Sequence, residues 1–322
     1  MQAIVASLTS VVEILIVIAL GYWLRNSYKL GDQFKGNISY LIMNVALPAS
    51  IFASVMKYLT RDKLLGLTGG LIYAVICIAL SYLISWLLSK GLHVRPGRRG
   101  TFINAITNAN TIFIGLPLNI ALFGQKSMPY FLVYYVVNTI STWAIGVFFI
   151  SSDDPTASSQ KTGGFNWRKL LPAPLVGFLL ALVCLLIAIP IPNWITSVLN
   201  MVGGIVTPLS LIYIGIILAD AGLKSLHLDR DTLVVILGRF VLVPALMLGL
   251  IMLGTASIGP HLAGMEINTL MVQSATPALA VLPILVGESH GDVPFATNVV
   301  TTTTVLFVIV IPVVLAITQV LL

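Results

Sequence analysis

The stretch ITNANTIFIGLPLNI, Ile106 to Ile120, decides the fold. It is apolar enough for a membrane, yet it holds Asn108, Asn110 and Thr111, then Gly115 and Pro117. A second stretch, MVQSATPALAVLP from Met271 to Pro283, has the same character, with Gln273, Ser274 and Thr276 just ahead of Pro277. Proline removes a backbone donor and clashes with the carbonyl four residues back. Pro117, with Gly115 beside it, and Pro277 are therefore expected to break their helices and free the carbonyls of Phe113 and Gln273. Irregular backbone at membrane depth is tolerated only where protein buries it or where it lines a wet cavity. A broken helix also turns the positive end of a half-helix dipole toward the bilayer centre, which suits an anion.

The rest of the chain puts both stretches in a bilayer. Of 322 residues, 58% are hydrophobic and only 9% charged, and the mean hydropathy is +1.02. A soluble domain carries roughly 25% charged residues, so this composition cannot cover a water-facing surface and implies an all-α integral membrane protein. The excess of 17 Lys and Arg over 11 Asp and Glu lies in short loops between apolar runs, where it signals orientation rather than nucleic-acid binding. Cys77 and Cys184 fall inside apolar runs and read as small core residues. The first apolar run holds Glu13 and no Lys or Arg precedes it, unlike a cleavable signal peptide.

A span needs about 20 apolar residues. Ten are expected, near 3–24, 36–56, 64–89, 101–123, 129–151, 171–190, 194–219, 232–254, 266–287 and 294–321. The polar, Gly- and Ser-rich segment 152–170 reads as a linker between a first five-helix unit, 1–151, and a second, 171–322. The loops after the odd-numbered spans hold twelve Lys and Arg, those on the other side four. Positive-inside logic puts the linker in the cytoplasm and both termini outside, in a cell (inner or plasma) membrane.

The two units repeat. Pro117 and Pro277, in the fourth and ninth spans, are 160 residues apart, as are Pro48 and Pro208 in ALPASIF and VTPLSLI. Past the breaks the offset becomes 165, matching Pro129 with Pro294. Five is an odd number of crossings, so the second unit is inverted. Inverted repeats with corresponding interrupted helices point to the binding site of a secondary transporter. The fourth and ninth spans are expected to be broken and to cross there.

NVALPASIF, NANTIFIGLPL, TPLSLIYIGIILA and the Pro277 segment with its successor PFATNVVTTTT resemble the auxin efflux carrier family, over nearly the whole chain. That family spans plant auxin transporters of the PIN type and bacterial permeases for malate and related carboxylates, and the short linker resembles the bacterial branch. The resemblance implies a scaffold of spans 1, 2, 6 and 7 and a transport domain of spans 3–5 and 8–10. It implies that Asn110 receives a substrate carboxylate, with Asn138 in VVNTISTW facing the substrate and Ser50 on the scaffold side. A homodimer would also fit the family.

Charge inside a bilayer is expensive and functional by default. Glu13, mid-span, reads either as a proton-coupling carboxylate or as a glutamate facing a scaffold crevice. Arg239, inside LGRFVLVP, reads either as snorkelling to the headgroups or as pairing with a substrate carboxylate. Asp220, Glu266, Asp292 and the four histidines lie at span ends or in loops and read as solvated. No GxxxxGK[ST] loop, HExxH or Cys cluster occurs, which argues against an ATP-driven pump, a metal site, a cofactor or an enzyme. The expectation is a secondary carrier of a small organic anion, malate or a similar carboxylate, working by alternating access as a uniporter or with protons. The substrate would be held by Asn108, Asn110, Thr111, Gln273, Ser274 and Thr276, with Asn138 and Ser50. The alternatives are an auxin-like aromatic acid or an amino acid, with Tyr134, Tyr135 and Trp143 as stacking partners, or an anion channel or sensor on the same fold.

Overall fold

The computed structural model describes residues 2–61, 66–155, 173–222, 226–256 and 259–321. All regular structure among them is helical. In chain order the helices are α1 (Gln2–Asn26), α2 (Gln33–Tyr58), α3 (Thr68–Gly91), α4 (Arg99–Thr107), α5 (Thr111–Phe123), α6 (Gln125–Ser151), α7 (Ala173–Ile187), α8 (Asn193–Asp220), α9 (Arg230–Ala256), α10 (Gly264–Ser274), α11 (Leu282–Glu288) and α12 (Val293–Leu321). Six of them, α2, α3, α6, α8, α9 and α12, are long and apolar enough to cross a membrane. The chain is a multi-pass membrane protein. Most of the expected linker, 156–170, lies outside the described residues.

Two interruptions stand out. The helix that begins at Arg99 stops at Thr107 and resumes at Thr111; the one that begins at Gly264 stops at Ser274 and resumes at Leu282. Pro277 lies in the second gap, but Pro117 lies beyond the first, in the opening turn of the α-helical part of α5. The widened π turn Thr111–Gly115 comes just before it. Two other π turns, Ile42–Ala46 and Gly238–Leu242, likewise end two residues before a proline, Pro48 and Pro244. The physical reason is shared: the carbonyl that would have met the missing proline N–H is reassigned by widening the turn. A fourth π turn, Thr142–Gly146 in α6, has no proline. There the hydroxyls of Ser141 and Thr142 donate to the Asn138 carbonyl at 2.9 and 2.7 Å.

The helices α1 and α8 lie side by side, and α2 rests on α7 and on the first part of α8. The α1–α8 approach needs glycine. A Cβ on Gly21 would lie 2.3 Å from the Ile212 carbonyl oxygen, and one on Gly215 2.1 Å from that of Ile18. The helices α3, α4, α6, α9, α10 and α12 pack among themselves.

A polar cap ties one end of that second group together. Arg98 pairs with Asp292 at 2.6 Å, Asp229 at 2.7 Å and Asp231 at 3.4 Å, and its guanidinium lies 4.6 Å from the Phe295 ring centroid. Arg95 also pairs with Asp292. The amide of Gly100 donates to Asp153 at 3.1 Å, and the side chain of Arg230 donates to the Leu92 carbonyl at 2.8 Å. Burial pushes the Asp292 carboxyl up, but bonds from Arg98, the Phe295 N–H and Arg95 outweigh it and hold it below the ordinary 3.8. Asp229, whose side chain caps α9 through the Thr232 N–H, is likewise pushed up by burial and brought below its ordinary value by Thr232 and Arg98. A carboxylate depressed by the fold stabilises above its unfolded value, and that share is lost as pH falls through the folded one. Arg98→Gln is therefore expected to lower the Tm by several degrees at neutral pH. The gap to wild type should close below about pH 4, which melts across a pH series check.

Candidate functional site

The two gaps meet. Asn108 is extended, at φ −94°, ψ 133°, and Ala109 pairs antiparallel with Ala278 of the second gap. The Asn110 N–H donates to the Pro277 carbonyl at 2.8 Å. Side chains of neighbouring helices meet further backbone groups of both strips. Asn138 of α6 accepts from the Ala109 N–H at 2.9 Å and donates to the Ala109 carbonyl at 3.0 Å. Thr303 of α12 accepts from the Ala278 N–H at 3.2 Å. Buried amides without partners cost about 1–3 kcal/mol each, so these two side chains are what make unwound backbone tolerable here. They stand 165 residues apart, the offset that relates Pro129 to Pro294. Thr303 was hidden in the run TTTT, and that offset was the signal that could have singled it out.

The carbonyls at the ends of α4 and α10 converge on Arg239. Its side chain is fully buried. It donates to the carbonyls of Ile106 and Thr107, both at 2.9 Å, and to that of Ser274. Arg239 therefore does not snorkel; it caps the C-terminal ends of both half-helices. A half-helix C-terminus carries about −0.5 charge, an N-terminus about +0.5. Four such ends meet at the gaps and sum to about zero. The guanidinium offsets the two negative ends, and the positive starts of α5 and α11 are left to set the local potential.

A cavity of about 70 Å³ opens beside the crossing. Asn110, Thr111 and Asn138 line it, with Tyr135, Thr142 and Trp143 from α6, Met43 from α2 and Leu279–Val281 from the second gap. At roughly 10–15 Å³ per water this is room for a few waters or one small molecule. The Asn110 Oδ1 accepts from the Phe113 N–H at 3.2 Å, which caps α5 and turns the amide group over. Its Nδ2 is left without a partner among the described residues, at the cavity wall. A second cavity, about 230 Å³, shares Ala280 with the first and has Lys35 and Asp220 in its wall, 3.4 Å apart.

The membrane transport protein family matches residues 6–315. The chain belongs to this family, that of the auxin efflux carriers. It is similar to an uncharacterized transporter of Methanothermobacter thermautotrophicus, 24% identical over 95% of this chain and 96% of the relative. It is also similar to one of Methanocaldococcus jannaschii, 20% identical over 87% and 88%. The protein is a membrane transporter and not an enzyme.

In this transporter the other expected residues divide by task. Asn108 is consumed internally, donating to the Tyr82 hydroxyl at 2.6 Å and accepting from Ser141 at 2.7 Å. Gln273 donates to the Gly115 carbonyl at 3.0 Å across the crossing, and a Cβ on Gly115 would lie 2.3 Å from its Oε1. Ser274 and Thr276 bond back to the Met271 and Gln273 carbonyls, at 2.7 and 2.9 Å. Thr276 thus occupies the carbonyl that Pro277 leaves free. Ser50 lies apart, in the wall of a separate cavity with Lys57 and Asn200. Glu13 is exposed on α1 and away from the cavity. Gly115→Ala is expected to push Gln273 aside and cost about 1–3 kcal/mol, read as a lower Tm with weaker uptake.

Proposed function

We propose that this transporter is a secondary carrier of a small organic anion, malate or a similar carboxylate, working by alternating access. The observation that carries the reading is the crossing itself: an unpartnered Asn110 Nδ2 at the wall of a small cavity, beside two helix starts whose opposing helix ends Arg239 neutralises. Neutral donors in a positive field hold a carboxylate firmly enough to bind and loosely enough to release. The cavity's size favours an acid of a few carbons.

In this proposal ten spans form two inverted five-helix units, with the gaps in the fourth and ninth. The helices α1, α2, α7 and α8 stand still in a cell membrane, with the basic loops inside. The others move as one body, and the polar cap around Arg98 and the crossing's hydrogen bonds support that grouping. Tyr135 and Trp143 in the cavity wall favour a second reading, an auxin-like aromatic acid.

Counterflow into proteoliposomes preloaded with L-malate, succinate, acetate or indole-3-acetate separates these. Saturable exchange of the C4 acids is expected. Exchange of indole-3-acetate alone would establish the aromatic reading, and flux without counterflow would establish a channel.

A further inference from the structure

Glu266 was expected to be solvated, and it is not. Its side chain is 3% exposed and its Oε1 has no hydrogen-bond partner among the described residues. It sits in the first turn of α10, where the backbone amides of Gly70 and Ala263 approach it. The space exists because α3 has no side chain at that point. A Cβ on Gly70 would lie 2.3 Å from Oε1 and 3.2 Å from the carboxyl carbon. This is a recess shaped around a carboxyl group, with one oxygen left unused.

The titratable neighbours are few. From α6 comes Tyr130, near enough to feel the carboxylate's charge. From α3 comes Tyr73, whose hydroxyl donates to the Pro260 carbonyl at 3.0 Å, and one turn further Cys77. The turn 125–127 brings Lys126, which is exposed, and the preceding loop brings His261, also exposed. No titratable side chain occurs in α5, in residues 243–256 of α9 or in residues 307–321 of α12. Among the described residues no cation lies against this buried carboxyl group.

Glu266 also stands at one end of the lever that works the site. Eight residues further on, about 12 Å along the helix, α10 presents Gln273 to the Gly115 carbonyl and Ser274 to Arg239. We propose that Glu266 is the proton site that couples carriage to a pH gradient. Its carboxylate takes a proton from water at the α10 amino end, forming the O–H bond. The neutral carboxyl then travels with the moving helices, and the proton is released to water on the far side. Moving a charged carboxylate together with an anionic substrate deeper into the bilayer is costly, so the loaded body crosses with Glu266 protonated, and the empty body, carrying only the carboxylate's charge, returns without the proton. This rests on the carrier reading above.

Three measurements test it. Wild-type protein in proteoliposomes with trapped pyranine should take up labelled L-malate faster under an inward proton gradient and acidify the lumen as it does so. Glu266→Gln should keep L-malate counterflow within about twofold of wild type, since a neutral amide mimics the protonated carboxyl, and lose the response to the gradient. A Glu266→Gln variant that still responds to the gradient, or wild-type uptake without acidification, overturns the proposal. Infrared difference spectra between acid and alkaline buffers need no substrate: a carboxyl C=O band present in wild type and missing in Glu266→Gln is expected, and identical spectra overturn the proton site. Should wild type exchange none of the carboxylates while that band is present, the carrier reading fails and the proton site stands. Glu266→Asp, with its shorter reach from the same recess, is expected to retain the band shifted in pH and serves where the glutamine variant does not fold.

Discussion

Replacing Arg239 with methionine is expected to abolish uptake and to destabilise the protein by about 3–5 kcal/mol, as removing a buried charged partner does. Three buried carbonyls, those of Ile106, Thr107 and Ser274, would lose their donors at once. At about 2–4 °C per kcal/mol, the Tm should fall by roughly 6–20 °C. Two milder variants separate bonding from charge. Arg239→Lys keeps the charge but cannot fork between two helix ends, so it should fold less stably and still bind the anion. Arg239→Gln keeps some donors and loses the charge. It should bind more weakly than the lysine variant, because the two helix ends then oppose the anion. Tm and the substrate Kd, measured on the same preparations, give the ordering. Equal affinity in the glutamine variant and wild type would refute the electrostatic role.

The second large effect is expected at Asn110, whose two side-chain atoms do different things. Its Oδ1 caps α5, a contact worth about 0.5–2 kcal/mol. Its Nδ2 is the proposed carboxylate donor, and a hydrogen bond to a charged group is worth about 1.5–3 kcal/mol. Asn110→Ala should therefore raise KM roughly 10- to 150-fold, with only a small fall in Tm. Asn110→Asp retains the capping oxygen and replaces the donor with a negative charge. It should fold as well as wild type and transport less than the alanine variant. That inversion of stability against activity is the mark of a ligand-holding group rather than a structural one.

The sequence carried the existence of the broken helices because two kinds of signal coincided: amide and hydroxyl side chains in apolar runs, and prolines at a matched offset. It did not carry the position of the first break. Pro117 alone pointed eight residues too far along, since a π turn absorbs a missing N–H without ending the helix. What lets the chain leave the helix after Thr107 is distant: Asn138 of α6 bonds Ala109 there, as Thr303 of α12 bonds Ala278 in the second gap. Arg239 was legible as a costly residue but not as a cap, because its partners are backbone carbonyls that any residue could offer. Glu266 was misread for the opposite reason. Near the end of a span a glutamate is usually wet, and the recess that dries it is made by the absence of a side chain at Gly70 in another helix. The amides bonded within the protein, Asn108 and Gln273, look in sequence just like the one that faces the cavity.

The most direct measurement is uptake of labelled L-malate into proteoliposomes by wild type and Asn110→Asp side by side, with membrane potential and pH gradient imposed separately. Saturable uptake by wild type, lost in a variant of unchanged Tm, is the predicted result. Uptake by Asn110→Asp with the wild-type KM would contradict it and place the substrate elsewhere than the crossing.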